Sequence, residues 1–293
     1  MLSIFNQNKI TKTTIYILIT AIILIFAFIF IYRVYMVTPP KVVVFDLDET
    51  LGYFVELGMF WDALQHIHQK KLPLNHFFEV MDLYPEFIRP QIFNILKYLV
   101  HKKKKKECKK IIIFTNNMGP KVWSENISKY FNWKLNEKIF DQIIASYKVN
   151  GQIVEQNRTA YSKKHSDLLS CAKLPSNTKI CFIDDLYHPQ MDNDKIFYVN
   201  VPGYMHSLSF TEMAERYYDN FTINMPKKQF ISNINEHMQL YNYTVNSKSN
   251  PAIKNDIDNS KQMYYYIKLF FKNNDLPKTR RRPKAKKRRT YRA

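Results

Sequence analysis

Three apolar runs in this chain each stop at residues able to do chemistry, and that pattern constrains the fold more than any other feature. Val42-Val43-Val44-Phe45 leads into Asp46-Leu47-Asp48-Glu49-Thr50. Ile111-Ile112-Ile113-Phe114 leads into Thr115-Asn116-Asn117, and Ile180-Cys181-Phe182-Ile183 leads into Asp184-Asp185. Runs of four apolar residues rich in β-branched side chains read as strands buried on both faces, as in a parallel sheet. In open α/β sheets, ligand sites lie beyond the carboxyl ends of such strands. Asp46 and Asp48 point the same way if the chain stays extended. Two carboxylates held that close repel each other unless a cation or a shared proton compensates. A site with Mg²⁺, one nucleophilic carboxylate and one acid/base carboxylate supplies both.

Helices are predicted over residues 90–101, 119–131 and 162–172, and strands over 143–145 and 196–201. Asn150-Gly151 predicts a hairpin turn between 146–149 and 152–154. This alternation predicts an α/β fold with a mostly parallel sheet and helices on both faces. Residues 53–86 read as a helical, aromatic insert after the first strand. Beyond residue 221 the pattern weakens. An amphipathic helix is expected over 228–243, and the Ser/Asn-rich stretch 245–259 reads as a linker. The aromatic segment 263–272 leaves open packing on the domain, contact with a membrane and contact with a partner. The organisation expected is a short segment 1–12, an apolar helix 13–33, a linker 34–40, a catalytic domain 41–225, an appendage 226–277 and an unstructured basic tail 278–293. The chain has only five glycines and neither a P-loop nor a dinucleotide fingerprint, which argues against nucleotide-cradling folds.

The string Asp46-Leu47-Asp48-Glu49-Thr50-Leu51 resembles the first motif of the haloacid-dehalogenase-like (HAD) phosphatases. More narrowly, it is similar to the small C-terminal-domain phosphatases of the NLI-interacting-factor-like family. The resemblance spans residues 41–220 and extends to Thr115, to Lys163-Lys164, to Asp184-Asp185 and to Arg89-Pro90 before the second motif. It implies a HAD-like fold, Mg²⁺ as cofactor and a phosphorylated protein as substrate. It further implies that Asp46 is the nucleophile forming an aspartyl-phosphate and that Asp48 is the acid and base. Asp46, the Asp48 carbonyl and Asp184 would hold the metal, with Asp185 assisting. Thr115 and the Asn116 N–H would bind phosphoryl oxygens, and Lys163 or Lys164 would neutralise charge. Spacing does not separate the two lysines; Lys163 is preferred. The chain departs from the family in its Thr-Asn-Asn second motif, its helical insert, and a lysine about twenty residues before Asp184.

Residues 13–32 carry no charge and lie between Lys12 and Arg33. As a helix they span about 30 Å, the thickness of a hydrocarbon core. Tyr16, Tyr32 and Tyr35 sit near the ends as interfacial anchors do. The run exceeds a signal-peptide core and no A-x-A site follows, so an uncleaved single-pass anchor is expected. Lys9 and Lys12 before the span balance Arg33 and Lys41 after it, leaving orientation open. Cys108, Cys171 and Cys181 form no disulfide framework, and Cys181 falls in a buried strand, so the catalytic part is placed in the cytosol. Residues 34–40 reach at most about 23 Å, so the first strand is expected to start beside the membrane and run outward. The net charge of +19 is concentrated in 102–110, with seven lysines, and in 278–293, with ten basic residues in sixteen. The tail is read as solvated, or as contacting anionic lipid or nucleic acid, or as a nuclear-localisation signal.

The function expected is a membrane-anchored phosphatase for phosphoserine or phosphothreonine protein. The alternatives are a HAD phosphatase for nucleotide, nucleic-acid or small phosphate esters, and a non-enzymatic tether acting through the basic tail.

Overall fold

A computed structural model describes residues 2–36, 39–242, 245 and 249–272. The chain divides into two units, residues 1–40 and residues 41–293. The first contains one helix, α1 (Leu2–Met36). Its stretch Thr14–Tyr32 is apolar and exposed, and its 19 residues are long enough to cross a membrane. A signal sequence near an N-terminus shares these properties.

The second unit is α/β. Its strands are β1 (Lys41–Phe45), β2 (Lys110–Phe114), β3 (Gln142–Ile144), β6 (Lys179–Asp184) and β7 (Ile196–Asn200), joined in the order β3-β2-β1-β6-β7. Every pairing is parallel. A separate hairpin pairs β4 (Lys148–Val149) with β5 (Gln152–Ile153). Asn150 and Gly151 at its tip have φ of 50° and 77°, the two left-handed conformations a type I′ turn needs.

The helices of this unit are α2 (Val55–His68), α3 (Leu74–Leu83), α4 (Ile92–Lys104), α5 (Lys121–Leu135), α6 (His165–Ala172), α7 (Phe210–Asn220), α8 (Lys227–Gln239) and α9 (Asn250–Lys272). Alternation along the strands splits the interior in two. Val42 and Val44 join Ile112, Phe114, Ile180 and Phe182 in a small core closed by Leu168, Cys171 and Ala172 of α6. Val43 and Phe45 face the other way, into a large aromatic core shared with α2–α5 and α7–α9. Period-two side-chain alternation on β1 therefore buries both faces of the sheet.

Two expectations need correction. Residues 250–259 are the first part of α9 and not a linker. The 226–277 segment is no appendage over its described part. Phe230, Ile234 and Met238 of α8, and Met263, Ile267 and Phe270 of α9, are fully buried in the large core. Of the three options open for 263–272, the described residues pack on the domain. The tail 278–293 lies outside the described residues.

The strand order reverses at β1. From it the chain steps through β2 to β3 on one side, then returns to β6 and β7 on the other. The crevice at a reversal of this kind, outside the carboxyl ends of the strands, is where open α/β sheets bind ligands.

Candidate active site

The carboxyl ends of β1, β2 and β6 converge at that reversal. Asp46 follows β1 and Asp184 ends β6, and Phe45 and Ile183 are register partners, so the two aspartates emerge on adjacent strands. Lys163, two residues before α6, reaches over the strand ends. Its Nζ donates to Asp46 Oδ1 at 2.5 Å and to Asp184 Oδ2 at 2.7 Å. It lies over the rings of Phe114 and Phe182, at 5.7 and 5.8 Å from their centroids. Lys163, Asp46 and Asp184 are all buried.

Asp185 carries the third acid of the cluster. Ligand atoms of Asp46, Asp184 and Asp185 lie within 4.8 Å of one another. Thr50 Oγ1 lies 3.4 Å from Asp185 Oδ1 and donates to it. The Leu186 N–H donates to Asp184 Oδ1 at 2.8 Å, and His188 Nε2 lies 3.2 Å from Asp184 Oδ2. Asn200 Nδ2 donates to the carbonyls of Asp184 and Asp185, at 3.1 and 3.0 Å, fixing the backbone beneath both acids.

Asp48 lies in the loop that follows β1, two residues beyond Asp46. Asn117 Nδ2 donates to Asp48 Oδ2 at 2.7 Å, while Asp48 Oδ1 is buried with no hydrogen-bond partner. Thr115 is buried at the end of β2, and its hydroxyl accepts from the Asn117 N–H at 3.0 Å. Asn117 thus ties the Thr115 loop to the Asp48 loop. A cavity of about 610 Å³ is lined by Asn117 together with Phe54, Met59, Trp61 and Trp123 among others.

Burial dominates the electrostatics. It raises Asp46 to about 7; Lys163 opposes this, while Asp184 and Asp48 add to it. Burial also raises Asp185, to about 8, with the charges of Asp184, Asp46 and Glu49 contributing. Asp48 is raised by burial against the Asn117 hydrogen bond. Asp184 goes the other way: burial is outweighed by Lys163 and His188, which hold it below the ordinary carboxylate range. Lys163 is raised, because Asp184 and Asp46 overcome its own burial.

This donor set fits a hard divalent cation. All donors are oxygens, as Mg²⁺ and Ca²⁺ prefer. Ionised Asp46, Asp184 and Asp185 exceed Lys163 by two negative charges, the charge of one such ion. The buried, unpartnered Asp48 Oδ1 adds a polar atom that protein groups leave unsatisfied.

Of the two candidate lysines, only Lys163 reaches the acids. Lys164 Nζ donates to Thr159 Oγ1 at 2.9 Å, outside the cluster, so it is removed from the site. Successive residues in the extended segment before α6, where Lys164 has φ −125° and ψ 144°, point in opposite directions. Asn116 Oδ1 accepts from Arg158 Nη2 at 2.7 Å, which holds the residue after Thr115 in place.

Two buried arginines organise the loops. Arg89 donates from Nε to the Thr50 carbonyl at 2.7 Å, and from Nη2 to the carbonyls of Glu49 and Pro202 at 2.6 and 2.7 Å. Arg158 donates from Nη1 to the carbonyls of Thr115 and Ala145 at 2.9 and 2.7 Å, and from Nη2 to the Tyr161 carbonyl at 2.8 Å. Arg158 therefore joins the Thr115 loop to the segment carrying Lys163. Neither the Arg158 clamp nor the Asn117 bridge follows from sequence reasoning; an arginine five residues before the lysine is the one signal present. Comparison with protein-family models, with curated proteins and with solved structures returns no match.

Proposed function

We propose that the domain is a Mg²⁺-dependent phosphomonoesterase of the HAD type, acting through an aspartyl-phosphate. The observation that carries the proposal is the bridge from Lys163 to both Asp46 and Asp184, with Asp185 beside them and Asp48 held by Asn117. An ammonium shared by two buried carboxylates at a switch point is a charge balance suited to phosphoryl transfer, which depends mainly on positioning and electrostatics.

Asp46 Oδ2, the oxygen not engaged by Lys163, is the nucleophile. It attacks phosphorus, the bond to the ester oxygen breaks, and the leaving oxygen takes a proton from Asp48. Burial favours the protonated form of Asp48 that this step needs. In the second step Asp48 takes a proton from water, the hydroxide attacks the aspartyl-phosphate, and phosphate leaves while the Asp46 carboxylate is restored. Thr115 and the Asn116 N–H bind phosphoryl oxygens, and Lys163 offsets charge on Asp46 and on the phosphoryl group. Mg²⁺ bound by Asp46, Asp184, Asp185 and the Asp48 carbonyl would supply further charge neutralisation.

The proposed substrate is a phosphoserine or phosphothreonine side chain of a protein, on the strength of the family resemblance. Nucleotide, nucleic-acid or small phosphate esters are the second reading, favoured by the basic charge of +19. The apolar exposed stretch of α1 supports a membrane-anchored protein, and the free thiols of Cys108, Cys171 and Cys181 support a catalytic unit in the reducing cytosol. The test is turnover of phosphopeptides, nucleotides and p-nitrophenyl phosphate with and without Mg²⁺. Phosphopeptide turnover that requires Mg²⁺ and vanishes in Asp46→Asn supports the proposal. Undiminished function of Asp46→Asn, with loss on deleting 278–293, would instead favour a tether without catalysis.

A further inference from the structure

We propose that the amino-terminal edge of the sheet is a docking surface for anionic lipid headgroups. All five strands are parallel, so all begin at one edge. β1, β2 and β6 each start with a lysine: Lys41, Lys110 and Lys179. Lys41 pairs with Lys179, and Val42 with Lys110, so the three stand side by side.

The segments entering these strands bring more positive charge to the same edge. α4 ends in lysines and continues through Lys105, Lys106 and Lys109 into β2. Lys138 follows α5, and Lys173 caps α6. Hydrogen bonds join these pieces. The Lys109 N–H donates to the Lys41 carbonyl at 2.7 Å, Lys103 Nζ to the Lys138 carbonyl at 3.3 Å, and Lys110 Nζ to the Ala172 carbonyl at 2.8 Å.

Three acids at this edge are already taken. Glu107 pairs with Lys102, Asp141 with Lys103 and Glu137 with Lys104. Lys105, Lys106, Lys109, Lys138 and Lys173 are exposed and form no salt bridge among the described residues. The crowding is felt inside: burial lowers the pKa of Lys41, and the charges of Lys179 and Lys102 lower it further against Glu107.

Two further segments join the domain at this edge, and they favour lipid over nucleic acid. The apolar stretch Thr14–Tyr32 lies just upstream of Lys41 in sequence. α9 also ends here, because Lys41 Nζ donates to the Phe270 carbonyl at 3.0 Å and lies over the rings of Phe270 and Phe271. Beyond Lys272 the sequence continues to the ten basic residues of 278–293. A lysine-rich face with an apolar segment at one junction and a polybasic segment at the other suits an anionic bilayer. Nucleic acid uses the charge but not the apolar segment. A five-residue strand is about 17 Å long, so a domain docked by this edge presents its acidic site to the aqueous side. The inference stands on charge and topology and does not depend on the phosphatase chemistry.

The test places the full chain in nanodiscs of phosphatidylcholine alone or mixed with phosphatidylserine. It follows amide exchange at 102–110 and, as a control, at 117–120 on the opposite edge. A basic residue at an anionic surface is worth roughly a fivefold change in partitioning. Exchange at 102–110 is therefore expected to slow by at least about fivefold with phosphatidylserine, to recover in high salt, and to stay constant at 117–120. The variant Lys105→Glu/Lys109→Glu/Lys138→Glu, changed only at exposed lysines, is expected to lose the slowing. Equal exchange in both lipids would overturn the proposal. So would slowing that survives in the triple variant, which would assign binding to 278–293. Protection of 102–110 by an oligonucleotide in phosphatidylcholine discs, with none from phosphatidylserine, would overturn it in favour of nucleic acid.

Discussion

Replacing Lys163 with Met removes the ammonium that separates Asp46 from Asp184. Nζ sits 2.5 and 2.7 Å from their oxygens, and the side chain is 2% exposed. Water cannot take over its role. Removing one partner of a buried ion pair costs about 3–5 kcal/mol, because the charge left behind is uncompensated. The loss depends on pH in a defined direction. Asp46 keeps its proton up to about 7, against 3.8 ordinarily. Stability tied to that raised value is present below about 4 and is lost as pH rises through about 7. In the native protein Lys163 holds Asp46 and Asp184 down, so its removal raises both. At pH 5.5 the variant buries neutral acids at little cost, whereas at pH 8.5 it must either bury uncompensated charge or hold protons that the unfolded chain releases. The gap from wild type must widen as pH rises. Thermal unfolding with a chelator present reads it: about 10 °C lower at pH 8.5 and a much smaller difference at pH 5.5. Added Mg²⁺ restores part of the loss, since a ligand at a hundred times its dissociation constant contributes about 2.7 kcal/mol. An equal shift at both pH values, or no response to Mg²⁺, would refute the reasoning.

Arg158→Ala strips donors from the carbonyls of Thr115, Ala145 and Tyr161. A fall of about 100-fold in kcat is expected, as a 1 Å misplacement can produce, with a smaller change in KM. Arg158→Lys rescues only partly, because an ammonium cannot reproduce the guanidinium fork; full rescue would argue against the clamp. Gly52→Ala places a Cβ 2.5 Å from the Phe87 carbonyl oxygen, which belongs to the backbone and cannot swing aside. Chemical denaturation should show a loss of about 1–3 kcal/mol, and a neutral result would contradict the close approach.

The strands that form the site were legible because each is an apolar run, rich in β-branched residues, that ends at a polar one. Residues 42–45, 111–114 and 180–183 fall within β1, β2 and β6. The 250–259 error has a physical origin. The buried face of α9 passes through Asp256, Ser260, Met263, Ile267 and Phe270, at steps of four and three. That spacing is helical, but its first two members are polar, so composition concealed the period. The Lys163/Lys164 ambiguity was built into the sequence, since neighbouring residues of one type differ only in the direction the local backbone gives them. The roles of Arg158 and Asn117 depend on loops from different strands meeting, and no local pattern encodes that.

The central claim, that Asp46 carries the phosphoryl group, is tested most directly by trapping. The protein would be mixed with a ³²P-labelled phosphopeptide and Mg²⁺, quenched in acid, and the labelled residue located by mass spectrometry. One acyl-phosphate at Asp46, discharged by hydroxylamine and missing from Asp46→Asn, is the predicted result. Rapid turnover with no label at Asp46, or with label on another side chain, would contradict it.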